Sequence, residues 1–186
     1  MRIVDIKEDK ALLEKLRGGS GDALRPIYEK YKTDMLAFAL AMCRDRAAAE
    51  DVVHDAFISF AGIARSLELR TNLKGYLLTS IANRIRNIQK AEARCAASIG
   101  NLDPADLSAH PPAPPTNAPE EEERLQRALA ELPDSQREVV ILHHLEGLKF
   151  RSIAKSQEES INTIQSRYRY GMQKMRAIFA KGNGNA

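Results

Sequence analysis

"INTIQSRYRYGMQKMR", Ile161 to Arg176, decides how the chain is read. Arginine alternates with tyrosine here, and no aspartate or glutamate follows Glu159. A solvated helix in a protein of mixed charge intersperses both signs, so one that carries only positive charge faces something negative. Ile161, Ile164, Tyr168, Met172, Met175 and Phe179 follow one another at steps of three or four, which predicts a buried helical stripe. Asn162, Gln165, Ser166 and Arg169 fall at i, i+3, i+4 and i+7 on another face. Asn, Gln, Ser and Arg read base edges or hold phosphates in a major groove. Arg167, Lys174, Arg176 and Lys181 fit phosphate contacts, or a solvated end that complements the dipole at the helix C-terminus.

Just upstream, "KFRSIAKS" forms a short helix that enters this one through a tight polar turn, with Ser160 as N-cap. Two helices so joined, the second longer and basic, describe a helix-turn-helix, whose second helix enters the groove by its early part. Before it, "EEEERLQRALAEL" opens with acids where they complement the helix dipole, and Pro133 ends that helix. Ser135 with Glu138 reads as a capping box for "REVVILHHLEG", and Gly147 as its stop.

One composition shift organises the rest. From Cys95 to Glu123 there is no lysine or arginine, and six of the eight prolines fall between Pro104 and Pro119. "HPPAPPTNAP" cannot continue a helix or a central strand, because proline lacks the N–H and fixes φ. An extended tether with a reach of roughly 75 Å, at about 3.1 Å per residue, is expected. Ahead of it lie three helical patterns. Leu24, Ile27, Tyr28, Tyr31, Met35, Phe38 and Met42 make one stripe. Asp45 caps the next helix, whose inner face is Val52, Val53, Ala56, Phe57 and Phe60. The third turns Tyr76, Leu77, Ile81, Ile85 and Ile88 inward and presents Asn83, Arg84, Arg86, Asn87, Lys90 and Arg94 outward. The fold class is therefore all-α: two small helical domains joined by a Pro-rich linker.

Composition excludes several functions. His54, His110, His143 and His144 form no HExxH or Cys/His ligand spacing, and no Gly-rich phosphate loop exists. No enzymatic activity, metal or cofactor is expected. Cys43 and Cys95 suit free thiols in a reducing compartment. The charged N-terminus is unlike a signal peptide, and no apolar run approaches the roughly 18 residues that span a bilayer. A cytoplasmic protein without membrane insertion is expected.

These residues carry a family resemblance over nearly the whole chain. "LAELPDSQREVVILHHLEGLKFRSIAKSQEESINTIQSRYRYGMQKMR" resembles sigma region 4 of bacterial RNA polymerase sigma factors. "AEDVVHDAFISF" followed by "YLLTSIANRIRNIQK" looks like sigma region 2. Two such regions with only a linker between them resemble the extracytoplasmic-function (ECF) group. The resemblance implies region 2 over 1–95, a linker over 96–119 and region 4 over 120–182.

Its partners would be core RNA polymerase, promoter DNA and, where one exists, an anti-sigma factor. Glu50, Asp51 and Asp55 match the surface that docks on core polymerase. Arg65, Arg70 and Asn72 fall in the loop that captures a flipped base of the melted minus-10 element, and Asn83, Arg84, Asn87 and Lys90 on the helix that meets it. Tyr76 is either a stacking platform for that element or a plain core aromatic. Asn162, Thr163, Gln165, Ser166, Arg167 and Arg169 match the reader of the duplex minus-35 element.

The chain departs from the family pattern at His54, at Gly75-Tyr76 and at Ser152-Ile153-Ala154. It also places Glu158 and Glu159 in a turn that usually carries a glycine and an apolar residue. A one-component helix-turn-helix regulator, with an effector or dimerisation domain in its first half, is the alternative. That rival requires a pocket or self-complementary helix where this chain has a basic, Asn-rich one.

Overall fold

The computed structural model describes residues 6–43, 45–67, 73–99 and 120–182, and contains only helices and turns among them. Helix α1 (Ile6–Arg17) leads through a short 3-10 turn into α2 (Leu24–Cys43), followed by α3 (Arg46–Ile63) and α4 (Leu73–Ile99). The second half comprises α5 (Glu120–Ala130), α6 (Asp134–Val140) running on into a π-helical turn (Ile141–Leu145), α7 (Phe150–Gln157) and α8 (Ile161–Gly182).

The first half is built on the predicted stripes. Ile27, Tyr31, Met35, Phe38 and Met42 of α2 are buried against Val52, Val53, Ala56 and Phe60 of α3 and Leu77, Ile81 and Ile85 of α4. Burying each large apolar side chain contributes about 1.5–3 kcal/mol, several times what an exposed ion pair gives, so this packing holds the fold. Asp45 caps α3 as expected, its carboxylate accepting from the Ala48 N–H at 2.7 Å.

Two expected core residues lie outside that packing. Tyr28 is partly exposed, meeting the edge of Phe57 on one side and Lys32 on the other, and Ile88 is exposed. α4 also continues past residue 95, the expected end of the first domain. Helix α1 is a further addition. Its Leu13 and Leu16 are buried, and Asp9, only 3% exposed, receives the Tyr31 hydroxyl at 2.7 Å and Lys30 Nζ at 2.8 Å. Burial, and then the Asp9 carboxylate, push the Tyr31 pKa up, so the hydroxyl remains a donor.

In the second half the expected capping box does not form. Pro133 stands at the N-cap of α6 without a side-chain bond, and the Glu138 carboxylate is engaged elsewhere. The guanidinium of Arg137 is buried and donates to the carbonyls of Leu129, Ala130 and Leu132, closing the C-terminal end of α5. Gly147 ends the π turn with φ +71, a left-handed conformation that glycine adopts without strain. At Gly171 the reason for glycine is space: an added Cβ would lie 2.8 Å from Val140 Cγ2, so α8 crosses α6 at close range.

The two halves touch directly. α2 packs on α5 and α6, and α4 packs on α7. Lys74 reaches both Asp34 at 3.0 Å and Glu146 at 2.5 Å, and Arg86 pairs with Glu138, 52 residues away.

Candidate nucleic-acid and polymerase interfaces

The helix-turn-helix is α7, a turn and α8. Ser160 caps α8 as expected, its hydroxyl accepting from the Thr163 N–H at 3.0 Å and contacting the Thr163 hydroxyl at 2.8 Å. Glu158 closes α7 in the left-handed region, φ 55 and ψ 36, and its N–H returns to the Ala154 carbonyl. The chain thus keeps a left-handed turn with a residue that is strained there.

The scaffold beneath α8 is aromatic. His143 stacks on Phe150 with ring centroids 3.7 Å apart, and Tyr168 meets His143 edge-on at 4.9 Å. His143 Nδ1 lies 2.7 Å from the Leu148 carbonyl oxygen, which can only accept, so this nitrogen carries the proton. Ile164 and Met175 are buried as expected, whereas Ile161, in the first turn of α8, is exposed.

Asn162, Gln165 and Arg169 are exposed on one face of α8, with Thr163 and Ser166 half buried beside them. Arg169 lies over the ring of exposed Tyr170, 5.0 Å from its centroid. Arg167 turns back toward the turn. It donates to Gln157 Oε1 at 2.9 Å and to Glu159 Oε1 at 2.6 Å. Lys174 donates to the Glu131 carbonyl at 2.6 Å, which anchors α8 to the end of α5.

On α3, Glu50 and Asp51 are exposed and Asp55 is half buried. Asp51 and Asp55 share a face with Ile58, which is 55% exposed, so the surface mixes charge with an apolar side chain. Glu50 accepts from Arg46 at 2.8 Å within the helix. Asp55 accepts from Arg84 of α4, which joins one residue of the acidic set to one of the basic set.

On α4, Asn87 and Lys90 are exposed, while Asn83 is half buried and its Oδ1 accepts from Arg86. Arg86 was expected to face outward but turns to the second half, donating to Glu138 and, at 3.0 Å, to the Ser156 carbonyl. Arg65 is exposed just after α3. Arg70 and Asn72 lie outside the described residues. Tyr76 is half buried, its ring 6.3 Å from that of Phe60, so part of it serves the core.

Sequence reasoning missed a network that joins these sites. Glu138, 2% exposed, accepts from Arg86 and from Gln157 Nε2 at 2.9 Å, and Gln157 in turn accepts from Arg167. The only local signal was a run of polar residues in short helices that otherwise bury one face. Lys74 belongs to a similar tie: burial alone would lower its pKa, but Glu146 and Asp34 raise it, so it stays charged. Among the described residues no group of His, Cys, Asp and Glu could hold a metal ion, and no helix is long and apolar enough to cross a membrane.

Comparison with known proteins agrees with this geometry. Residues 27–95 match the family described as Sigma-70 region 2, and residues 122–175 match Sigma-70, region 4. RNA polymerase sigma factor CarQ of Myxococcus xanthus is 26% identical over 169 residues, 91% of this chain and 96% of CarQ. ECF RNA polymerase sigma factor SigM of Bacillus subtilis is 25% identical over 160 residues, 84% of this chain and 94% of SigM. Among solved structures, the sigma factor RpoE from Bartonella quintana, crystallised with the anti-sigma factor NepR, superposes with a TM-score of 0.67 at 22% identity, covering 84% of this chain and 96% of RpoE. CnrH, in complex with the cytosolic domain of CnrY, gives a TM-score of 0.64 at 17% identity, covering 94% of this chain and 98% of CnrH.

Proposed function

This chain belongs to the sigma-70 family and is an ECF sigma factor that directs RNA polymerase to promoters, and from that premise we propose how its surfaces divide the work. Residues 1–95 act as region 2, residues 96–119 as the linker and residues 120–182 as region 4. The acidic face of α3, led by Asp51 and Asp55, docks on basic residues of core polymerase. Asn83, Arg84, Asn87 and Lys90 of α4, with Arg65, Arg70, Asn72 and Tyr76, meet and hold open the minus-10 element. Unstacking costs a few kcal/mol per step, and each captured base returns about 1–3 kcal/mol on an aromatic face. Asn162, Gln165 and Arg169 read the duplex minus-35 element, while Thr163 and Ser166 hold its phosphates and Arg167, tied to Glu159 and Gln157, is held back from them. An anti-sigma factor is a further partner on this reading, as RpoE was crystallised with one. The protein works in the cytoplasm with its polymerase and catalyses no reaction of its own.

The observation that carries this reading is the pairing, in one chain, of an exposed Asn/Gln/Arg face on the second helix of a helix-turn-helix with an acid-and-isoleucine face on α3. Co-elution with core polymerase tests it. Asp51→Ala with Asp55→Ala should leave the helical circular dichroism intact and lose co-elution, because truncating one side of a buried charge pair costs about 2–5 kcal/mol. Run-off transcription should disappear with it. Native polymerase affinity in the double variant would show that α3 is not the docking face. A wild-type chain that binds no polymerase would reject the whole reading.

A further inference from the structure

Glu138 has no part in the reading above, yet it is the buried carboxylate on which both halves converge. Three side-chain ties between the halves among the described residues share one polarity. The cation or donor comes from α4, at Lys74, Arg86 and Gln89. The acid comes from the second half, at Glu146, Glu138 and Asp134. The basic helix assigned to nucleic acid therefore has carboxylates against it. Asn83 is drawn in as well, since its Oδ1 accepts from Arg86. Through Gln157 the same carboxylate is linked to Arg167 of α8.

We propose that Glu138, with Glu146, forms an acidic latch that holds the free chain closed and stands in for nucleic-acid phosphate against α4. The inference rests on the assignment of α4 to the minus-10 element. Arg86 can serve Glu138 or a phosphate, but not both, because each is an anion that needs the same guanidinium fork. Chemistry also favours a latch that opens. Desolvation cancels much of the attraction in a buried ion pair, so such a pair selects one arrangement without adding much net stability. Opening returns both charges to water or to new partners and frees Asn83 in the same step. The closed chain then keeps weak affinity for stray single strands until polymerase separates the halves.

Small-angle X-ray scattering on the full chain tests the latch. Glu138→Gln with Glu146→Gln keeps the side-chain shapes but leaves Arg86 without a counter-charge and Lys74 with Asp34 alone. The radius of gyration should rise by several ångström over wild type, with unchanged helical circular dichroism. Affinity for a fluorescein-labelled, short single-stranded DNA of mixed sequence, without polymerase, should rise about tenfold, as when the competent fraction grows from roughly a tenth to nearly all. If the double variant fails to fold, Glu146→Gln alone carries the same comparison at the rim. A variant as compact as wild type overturns the latch, since apolar packing then holds the halves together. Expansion without a gain in DNA affinity overturns the phosphate stand-in. Failure of the wild-type chain to co-elute with core polymerase overturns the promoter assignment instead, and the scattering comparison still decides whether the latch exists.

Discussion

Glu159 Oε1 lies 2.6 Å from Arg167 Nη2, so an acid of the turn holds a cation of the helix that follows it. Both are partly exposed, and such a pair adds at most about 1 kcal/mol to stability. Its larger effect is on position. Arg167 is kept against α7, where Gln157 takes its other terminal nitrogen, and away from the exposed Asn162, Gln165 and Arg169 face of α8.

Replacing that acid should release the arginine. Glu159→Gln is expected to strengthen duplex DNA binding and to steepen the slope of log K against log salt by about 0.9, the value for one added phosphate contact. Fluorescence anisotropy across a salt series measures both. An unchanged slope would mean that Gln157 alone keeps Arg167 back.

Glu158 is the chain's non-glycine residue with positive φ among those described. A side chain in the left-handed region costs about 1–2 kcal/mol, part of which glycine gives back through a freer unfolded chain. Glu158→Gly should therefore stabilise the protein by roughly 0.5–1 kcal/mol in urea unfolding. Glu158→Gln separates charge from strain: it should improve DNA binding without raising stability. Equal stability gains in the two variants would place the cost in the charge.

Arg169 is exposed beside Asn162 and Gln165 and is backed by the Tyr170 ring. If it contacts a base edge through both nitrogens, Arg169→Ala should cost about 1–3 kcal/mol and relax selectivity at one upstream promoter position. Binding to a panel of single-position promoter variants reads this out. A uniform loss across the panel, with a shallower salt slope, would make it a phosphate contact.

Gly171 sets how closely α8 approaches α6. Gly171→Ala forces a methyl to within 2.8 Å of Val140 Cγ2 and should destabilise the fold by about 1–3 kcal/mol, the usual cost of overpacking. Val140→Ala in the same chain should recover most of that loss. Additive effects in the double variant would show that the two positions do not share the contact.

The apolar stripes of α2, α3 and α4 were legible because each repeats at helical spacing within its own segment, and Asp45 and Ser160 because a cap is a local bond. Helix α1 was not. Its stabilising acid, Asp9, reads as solvated charge until Tyr31, 22 residues on, supplies the donor. The Ser135/Glu138 pattern satisfied a local rule, but Glu138 answers to Arg86, 52 residues away. On the candidate site, the exposed face of α8 was legible by helical arithmetic. The inward turns of Arg86 and Arg167 were not, because each is set by a partner on another element.

Arg137 carries a consequence for how the second half opens. Its guanidinium is fully buried, and its carbonyl partners exist only where α5 has already ended in its final shape. Unravelling the end of α5 would take three carbonyl partners from a buried guanidinium and leave it Asp134 of its own helix, and fraying α6 would withdraw the guanidinium from all three carbonyls at once. Neither helix can therefore loosen alone at low cost. The α5–α6 hairpin should exchange its amide hydrogens as one cooperative unit, at rates set by a single opening event rather than by graded fraying from either end.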